Sequence, residues 1–243
     1  MLVFLFVKKD NRCMEKRIAA FQSLAGIFAS HGYKLFLVGG TVRDYLLDIP
    51  LEDMDAVSDA TPAQIVAFLP NADQTFAHLG SLKYKDENGI KFDITTLRKE
   101  SAYLDSRHPS KITFVKDLKL DYVRRDFTIN AMYMDRDLKI IDFCHGQEDL
   151  KNRTLRMVGN PDKRLKEDPL RILRAIRFHL MYKLKIDEDL LEAMRDRFYL
   201  LENITDAKIR SELLKIDSQK ISQKEKNEIF SQFDIANLRG VIK

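Results

Sequence analysis

The chain has 243 residues, 45% of them apolar, and carries 41 Lys and Arg against 37 acids, for a net charge of +4. That length suits one large domain or two small ones, and the composition excludes collagen-like, disordered and disulfide-stapled classes. The two cysteines, Cys13 and Cys144, lie far apart and form neither a disulfide framework nor a metal-ligand spacing, which fits a reducing cytoplasm.

The apolar stretch at residues 1–7 has no basic residue before it and no small-residue cleavage site after it, so it is not read as a signal peptide. No later apolar run approaches the roughly 18 residues of a membrane span. Charge distribution says more than net charge. Lys151 to Arg177 holds nine Lys/Arg against three acids, a local excess that suits a polyanion; a solvated helix face is the ordinary alternative.

In chain order, Glu15–Ser30 reads as an amphipathic helix, with Ile18, Phe21, Leu24, Ala25 and Phe28 at helical spacing. Lys34–Val38 is a short apolar strand ending in Gly39-Gly40, followed by helix over Val42–Leu47 and strand over Met54–Val57. Pro62 starts a helix that continues to Leu69. Ser81–Lys85 and Ile90–Thr96 flank Asp86-Glu-Asn-Gly89, a hairpin signal. Strand-like pieces lie within Tyr103–Lys116, a helix is expected around Phe127–Met132, and a strand at Lys139–Phe143. After about Leu165 only helices are expected: Pro169–Leu180, Asp187–Leu201, Ala207–Ile216 and Glu225–Phe233. Mixed elements followed by a run of helices give an α+β fold. The expected division is an α+β head at residues 1–150, built on a mixed β-sheet, and a helical second part at residues 151–243.

Chemistry concentrates in a few places. A strand running into Gly39-Gly40 and then a helix lets backbone N–H groups approach phosphates, and Arg43 can pair with a phosphate through its fork. Asp53 and Asp55 are two apart on a strand and so share a face. Adjacent carboxylates repel unless a cation lies between them, and magnesium is hard, takes oxygen ligands and leaves positions for a triphosphate. Asp93, among apolar neighbours, fits a third metal ligand, a general base or a half-exposed strand residue. In Asp121-Tyr-Val-Arg124-Arg125-Asp126-Phe127-Thr-Ile-Asn130, Arg125 can hold phosphate oxygens while Asp126 and Asn130 can bond ribose hydroxyls. In Glu167-Asp168-Pro-Leu-Arg171, Asp168 and Arg171 are expected one helical turn apart. An acceptor beside a donor matches the edge of a base; an intrahelical ion pair is the plain reading. Arg174 and Arg177 follow at threes, Arg177 pointing roughly away from Asp168.

Together these motifs resemble the class II CCA-adding enzymes and bacterial poly(A) polymerases, of the polymerase-β-like nucleotidyltransferases. The match runs from about Leu35 to Ile216, with the motifs in family order. The resemblance implies a template-independent enzyme that rebuilds the CCA end of tRNA from CTP and ATP with two Mg2+ ions, in the cytoplasm. Gly39, Gly40 and Arg43 would contact the triphosphate, Asp53 and Asp55 the metals, Arg125 a phosphate, and Asp126 and Asn130 the ribose. Asp168 and Arg171 would read the base, with Arg174 and Arg177 completing the pocket. Residues 96–116 resemble the loop that moves between CTP and ATP selection, and Asp142–Leu150 a hinge. Two departures stand out. Most of the family's body and tail is missing after the neck, which leaves a compact enzyme, a homodimer or a truncated chain open. Ala207-Lys208 stands where the family often has Glu-Arg. An A-adding enzyme and a poly(A) polymerase are the neighbouring readings, and a non-catalytic RNA-binding module the distant one.

Overall fold

The computed structural model describes residues 11–103, 109–217 and 221–233. The segment 104–108, within the expected mobile loop, lies outside the described residues, as do the first ten residues. The chain divides into two compact units. One comprises Met1–Glu100, Ile112–Arg125 and Asn130–Gly146; the other comprises Ser101–Lys111, Asp126–Ile129 and Gln147–Lys243.

The first unit is built on a six-stranded sheet. Its elements are α1 (Asn11–Ser30), β1 (Leu35–Val38), α2 (Gly40–Leu46), β2 (Met54–Ser58), α3 (Pro62–Phe68), β3 (Ser81–Lys85), β4 (Lys91–Thr96), α4 (Leu118–Asp121), β7 (Tyr133–Met134) and β8 (Ile140–Ile141); β5 (Arg98–Tyr103) and β6 (Pro109–Phe114) belong partly to each unit. The sheet order is β3-β4-β2-β1-β7-β8, while β5 and β6 form a separate ribbon. β2 and β4 run parallel and the other pairs of the sheet antiparallel.

Alternation assigns the two faces. Phe36, Val38 and Val57 join Leu97 and Tyr133 in one buried cluster, flanked by Val115, Leu118, Tyr122, Ile141 and Phe143. α1 packs against β1 and buries Phe21, Leu24 and Phe28; Phe28 meets Phe68 of α3 edge-on at 5.0 Å. α3 starts where Thr61 and Gln64 form a reciprocal capping box, with Pro62 as its first residue. The β3–β4 hairpin closes as the sequence pattern implies. The Asp86 carboxylate accepts from the N–H groups of Asn88 (3.0 Å) and Ile90 (2.7 Å), and Gly89 takes φ 83°.

The second unit contains α5 (Gly146–Lys151), β9 (Thr154–Leu155), α6 (Pro161–Glu167), α7 (Arg171–Tyr182), β10 (Lys185–Ile186), α8 (Glu188–Arg197), α9 (Asp206–Asp217) and α10 (Gln223–Phe230). α7 is central, with Ile172, Leu173, Ala175, Ile176, Phe178 and Leu180 all buried, and α9 and α10 pack on it. α6 packs against α8.

Three sequence expectations need correction. No α-helix spans Phe127–Met132; the chain makes one 3-10 turn at Thr128–Asn130 and enters β7. Strand does recur after Leu165, because β10 pairs in parallel with β9. α6 is an additional helix, started by Asn160, whose side chain accepts from the Lys163 N–H at 2.9 Å, with Pro161 in its first turn.

Candidate active site

In the first unit the site gathers at the end of β1. Gly39 turns the chain with φ 66° and ψ −131°, a conformation open to glycine and costly to other residues. A Cβ there would stand 3.8 Å from Nη1 of Arg125, 3.9 Å from the Asn130 carbonyl oxygen and 4.0 Å from Oδ2 of Asp55. The bare face of Gly39 therefore borders a gap with a cation on one side and a carboxylate on the other.

Thr41, buried in the first turn of α2, anchors the acidic pair. Its hydroxyl donates to the Asp53 carbonyl at 3.1 Å and accepts from the Asp55 N–H at 2.9 Å. Asp53 is exposed just ahead of β2, and Asp55 is half-buried within it. Asp55 stands directly opposite Asp93 of β4, so the two side chains share a face. The Asp55 carboxyl is pushed up to about 6, first by burial and then by Asp93 and Asp53, with Arg125 and Arg43 pulling the other way. Asp93 also lies 3.9 Å from the Lys83 ammonium. Among the described residues no three His, Cys, Asp or Glu side chains converge as a self-sufficient metal cage. The carboxylates form a partial ligand set, the kind a hard cation completes with phosphate oxygens and water. Mutual repulsion at Asp55 and the open side at Gly39 both fit such a cation.

Arg125 is aimed by a network that the motif reading did not assign. Its Nη2 donates to Oδ2 of Asp121 at 2.9 Å, its Nε lies 3.2 Å from the Tyr133 hydroxyl, and its guanidinium lies 5.1 Å from the Tyr133 ring centre. Asp121 is fully buried and also accepts from Nε of Arg124 (2.9 Å), the Tyr133 hydroxyl (2.8 Å) and the Arg98 N–H (3.1 Å). Burial alone would raise the Asp121 carboxyl, but Arg125, Arg124 and these donors outweigh it and hold it at about 2. Arg43 is buried. It forks onto Asp44 at 2.8 and 2.9 Å and donates from Nη1 to Oδ1 of Asn130 at 2.6 Å. Arg43 and Asn130 thus hold each other beside Gly39.

The remaining expected residues sit in the second unit. Asp126 accepts from the Phe127 N–H at 2.7 Å and, through its other oxygen, from Nε (2.9 Å) and Nη2 of Arg174. Asp168 and Arg171 are not on one helix. Asp168 ends α6 with extended backbone (φ −149°, ψ 93°) and accepts from the Leu170 N–H at 3.2 Å, while α7 begins at Arg171. Pro169 is the cause, because the residue before a proline avoids helical backbone. Arg171 is buried; its Nη1 donates to the Arg164 carbonyl at 2.7 Å and lies 3.6 Å from Glu167. Arg177 donates from Nε to Glu212 at 2.9 Å and covers the Phe178 ring at 4.5 Å. Glu212 is almost wholly buried and also takes the Lys215 ammonium at 2.7 Å.

Thr41, Asp121, Tyr133 and Glu212 are the residues that motif reading left without a role. Only Asp121 carried a local signal, lying three and four residues before two arginines.

A mixed sheet carries the glycine turn, the paired carboxylates and the aimed arginine, an arrangement suited to nucleotidyl transfer. The chain belongs to the family described as the Poly A polymerase head domain, whose model matches residues 35–156. It is 42% identical to a CCA-adding enzyme of Ligilactobacillus salivarius over 185 residues, which are 76% of this chain and 46% of that one. It is 38% identical to a CCA-adding enzyme of Staphylococcus epidermidis over the same length and shares. Among solved structures, the Bacillus stearothermophilus CCA-adding enzyme in complex with CTP aligns with a TM-score of 0.76 and 31% identity, over 82% of this chain and 48% of that one. The Thermotoga maritima CCA-adding enzyme complexed with tRNA aligns with a TM-score of 0.73 and 26% identity, over 94% and 52%. The chain spans about half the length of the curated relatives it matches. No helix among the described residues is long and apolar enough to cross a membrane.

Proposed function

We propose that this chain adds nucleotides to the 3′ end of tRNA without a nucleic-acid template, building CCA from CTP and ATP in the cytoplasm. The observation that carries the reading is Asp55 facing Asp93 beside Asp53, across the bare Gly39 turn from Arg125. Relatives named for CCA addition, one solved with CTP and one with tRNA, support the substrate classes.

Asp53 and Asp55 would hold two magnesium ions, which when bound supply positive charge for the triphosphate and a more acidic attacking hydroxyl. Arg125, kept charged by Asp121, neutralises phosphate oxygens next to Gly39 and Gly40. Asp93 accepts the proton of the RNA 3′-hydroxyl. That oxygen bonds to the α-phosphorus as the bond to pyrophosphate breaks. Arg43 and Asn130 brace the turn. Asp168 and Arg171 take the base-reading role, Arg174 and Arg177 complete the pocket, and Asp126 bonds the ribose.

The test is addition to a tRNA transcript lacking CCA, with magnesium and CTP, ATP or both. Three additions that stop at CCA establish the reading. A single A on a CC-ended transcript makes this an A-adding enzyme, and a long A tail a poly(A) polymerase. Asp53→Ala should abolish addition while leaving the circular dichroism spectrum unchanged, because Asp53 is exposed and the change removes a repelling charge.

A further inference from the structure

We propose that the exposed face of the β3–β4 hairpin is the track for the backbone of the RNA strand being extended, with Lys83, Lys85 and Lys91 as its phosphate contacts. This rests on the nucleotidyltransfer reading above and adds a surface to it.

Register places the three lysines. Lys83 stands opposite Asp93, and Lys85 opposite Lys91, across the β3–β4 pair. Asp93 in turn stands opposite Asp55 across the β4–β2 pair. Directly opposed residues, and residues two apart on a strand, share a face. Lys83, Lys85, Lys91, Asp93 and Asp55 therefore lie on one face, the lysines toward the outer edge and the carboxylates further in. All three lysines are exposed, and the Lys83 ammonium lies 3.9 Å from Asp93. The intervening residues Tyr84 and Ile90 line a groove against α1, as do the acids Asp86 and Glu87 of the turn. The lysine face is thus separated from the hairpin's own carboxylates, Asp93 excepted. Asp73, bridged to Lys83 through backbone bonds at 2.8 and 3.1 Å, commits its carboxylate to the N–H and hydroxyl of Thr75.

Lysines on an edge strand also discourage strand-to-strand association. That account fits Lys83 poorly, because the Asp73 backbone already covers the edge there. It also leaves unexplained why Lys85 and Lys91 face each other, since like charges directly opposite are destabilising. A polyanion resolves both points. An RNA strand whose 3′-hydroxyl reaches Asp55 and Asp93 has its next phosphates outward of the carboxylates, where the ammonium groups lie.

The experiment uses the full chain and a fluorescently labelled single-stranded RNA ending in CC. RNA binding is read by anisotropy across a salt series, independently of turnover. A Lys83→Gln/Lys85→Gln/Lys91→Gln variant is compared with Lys16→Gln/Lys34→Gln/Lys139→Gln, which removes the same charge elsewhere on the first unit. Single strands contribute about 0.7 to the log–log salt slope per phosphate contact, so the first variant should flatten that slope by about 2 and weaken RNA binding at least tenfold. Its KM for CTP should stay at the wild-type value, and the second variant should bind RNA like the wild type. Equal losses in both variants, or self-association of the first with RNA affinity intact, would overturn the proposal. A wild type that binds the RNA but adds no nucleotide fails the catalytic reading instead, and is seen separately in the addition assay.

Discussion

Replacing Asp121 by Asn tests the arginine network most directly. The wild-type carboxylate is completely buried and neutralises Arg124 and Arg125, both largely inside the protein. Removing one partner of a buried ion pair costs roughly 3–5 kcal/mol, because the other charge stays behind. The asparagine keeps the shape and some acceptors, so the lower end, about 3 kcal/mol, is expected. For a chain of this size that corresponds to a fall in Tm of roughly 6–12 °C.

The same group shapes the acid limb. Its carboxyl is depressed from 3.8 unfolded to about 2 folded, so its stabilisation is fully present above pH 4 and is lost as pH falls toward 2. That shift is worth on the order of 2–3 kcal/mol. Urea denaturation followed by far-ultraviolet circular dichroism between pH 2 and 7 measures both effects. Asp121→Asn should be less stable at pH 7 and lose less than the wild type on acidification. A variant within 0.5 kcal/mol of the wild type at pH 7, with the same acid limb, would refute the assignment of Asp121 as the charge that holds both arginines.

Gly39→Ala should lower stability by about 1–3 kcal/mol, from strain at its backbone angles. It should also cut kcat/KM for CTP well beyond the stability loss, because the new methyl enters the gap between Arg125 and Asp55; an alanine variant with wild-type kinetics would remove Gly39 from the site. Glu212→Gln should destabilise the second unit by about 2 kcal/mol by leaving Arg177 beside a neutral amide. In a double-mutant cycle, Glu212→Leu with Arg177→Met should recover at least half of the loss seen in either single change; strictly additive losses would show that the two do not interact.

Elements with clear periodicity were legible in advance. The β3–β4 hairpin follows from two alternating runs around Asn-Gly, and α1 from apolar positions at helical spacing. The expected helix at Phe127–Met132 is different. Every residue from Phe127 to Met134 is buried, so burial shows no period there and cannot distinguish a helix from an irregular path. The break between Asp168 and Arg171 is legible in the sequence, since Pro169 constrains the residue before it. Candidate site residues that fall within one contiguous stretch are visible as motifs. Their partners were not, because Thr41 with Asp53, Arg43 with Asn130 and Arg177 with Glu212 meet across 12, 87 and 35 positions. Nothing local in a sequence marks a threonine whose hydroxyl is used by a distant strand.

That threonine has a consequence for how the chain tolerates change. Its hydroxyl donates a hydrogen bond to the residue-53 carbonyl and accepts one from the residue-55 amide, so α2 templates the spacing of the acidic pair. The Arg17 guanidinium holds the same stretch from the other side, donating to the Glu52 carbonyl at 2.7 Å. The segment between Leu47 and Leu51, tied back to α2 by the Ile49 N–H on the Asp44 carbonyl at 2.9 Å, therefore does not itself set the spacing of the two carboxylates. Residues inserted there would lengthen a surface connection without moving either carboxylate, which makes it the natural place in this head to graft a tag or a reporter.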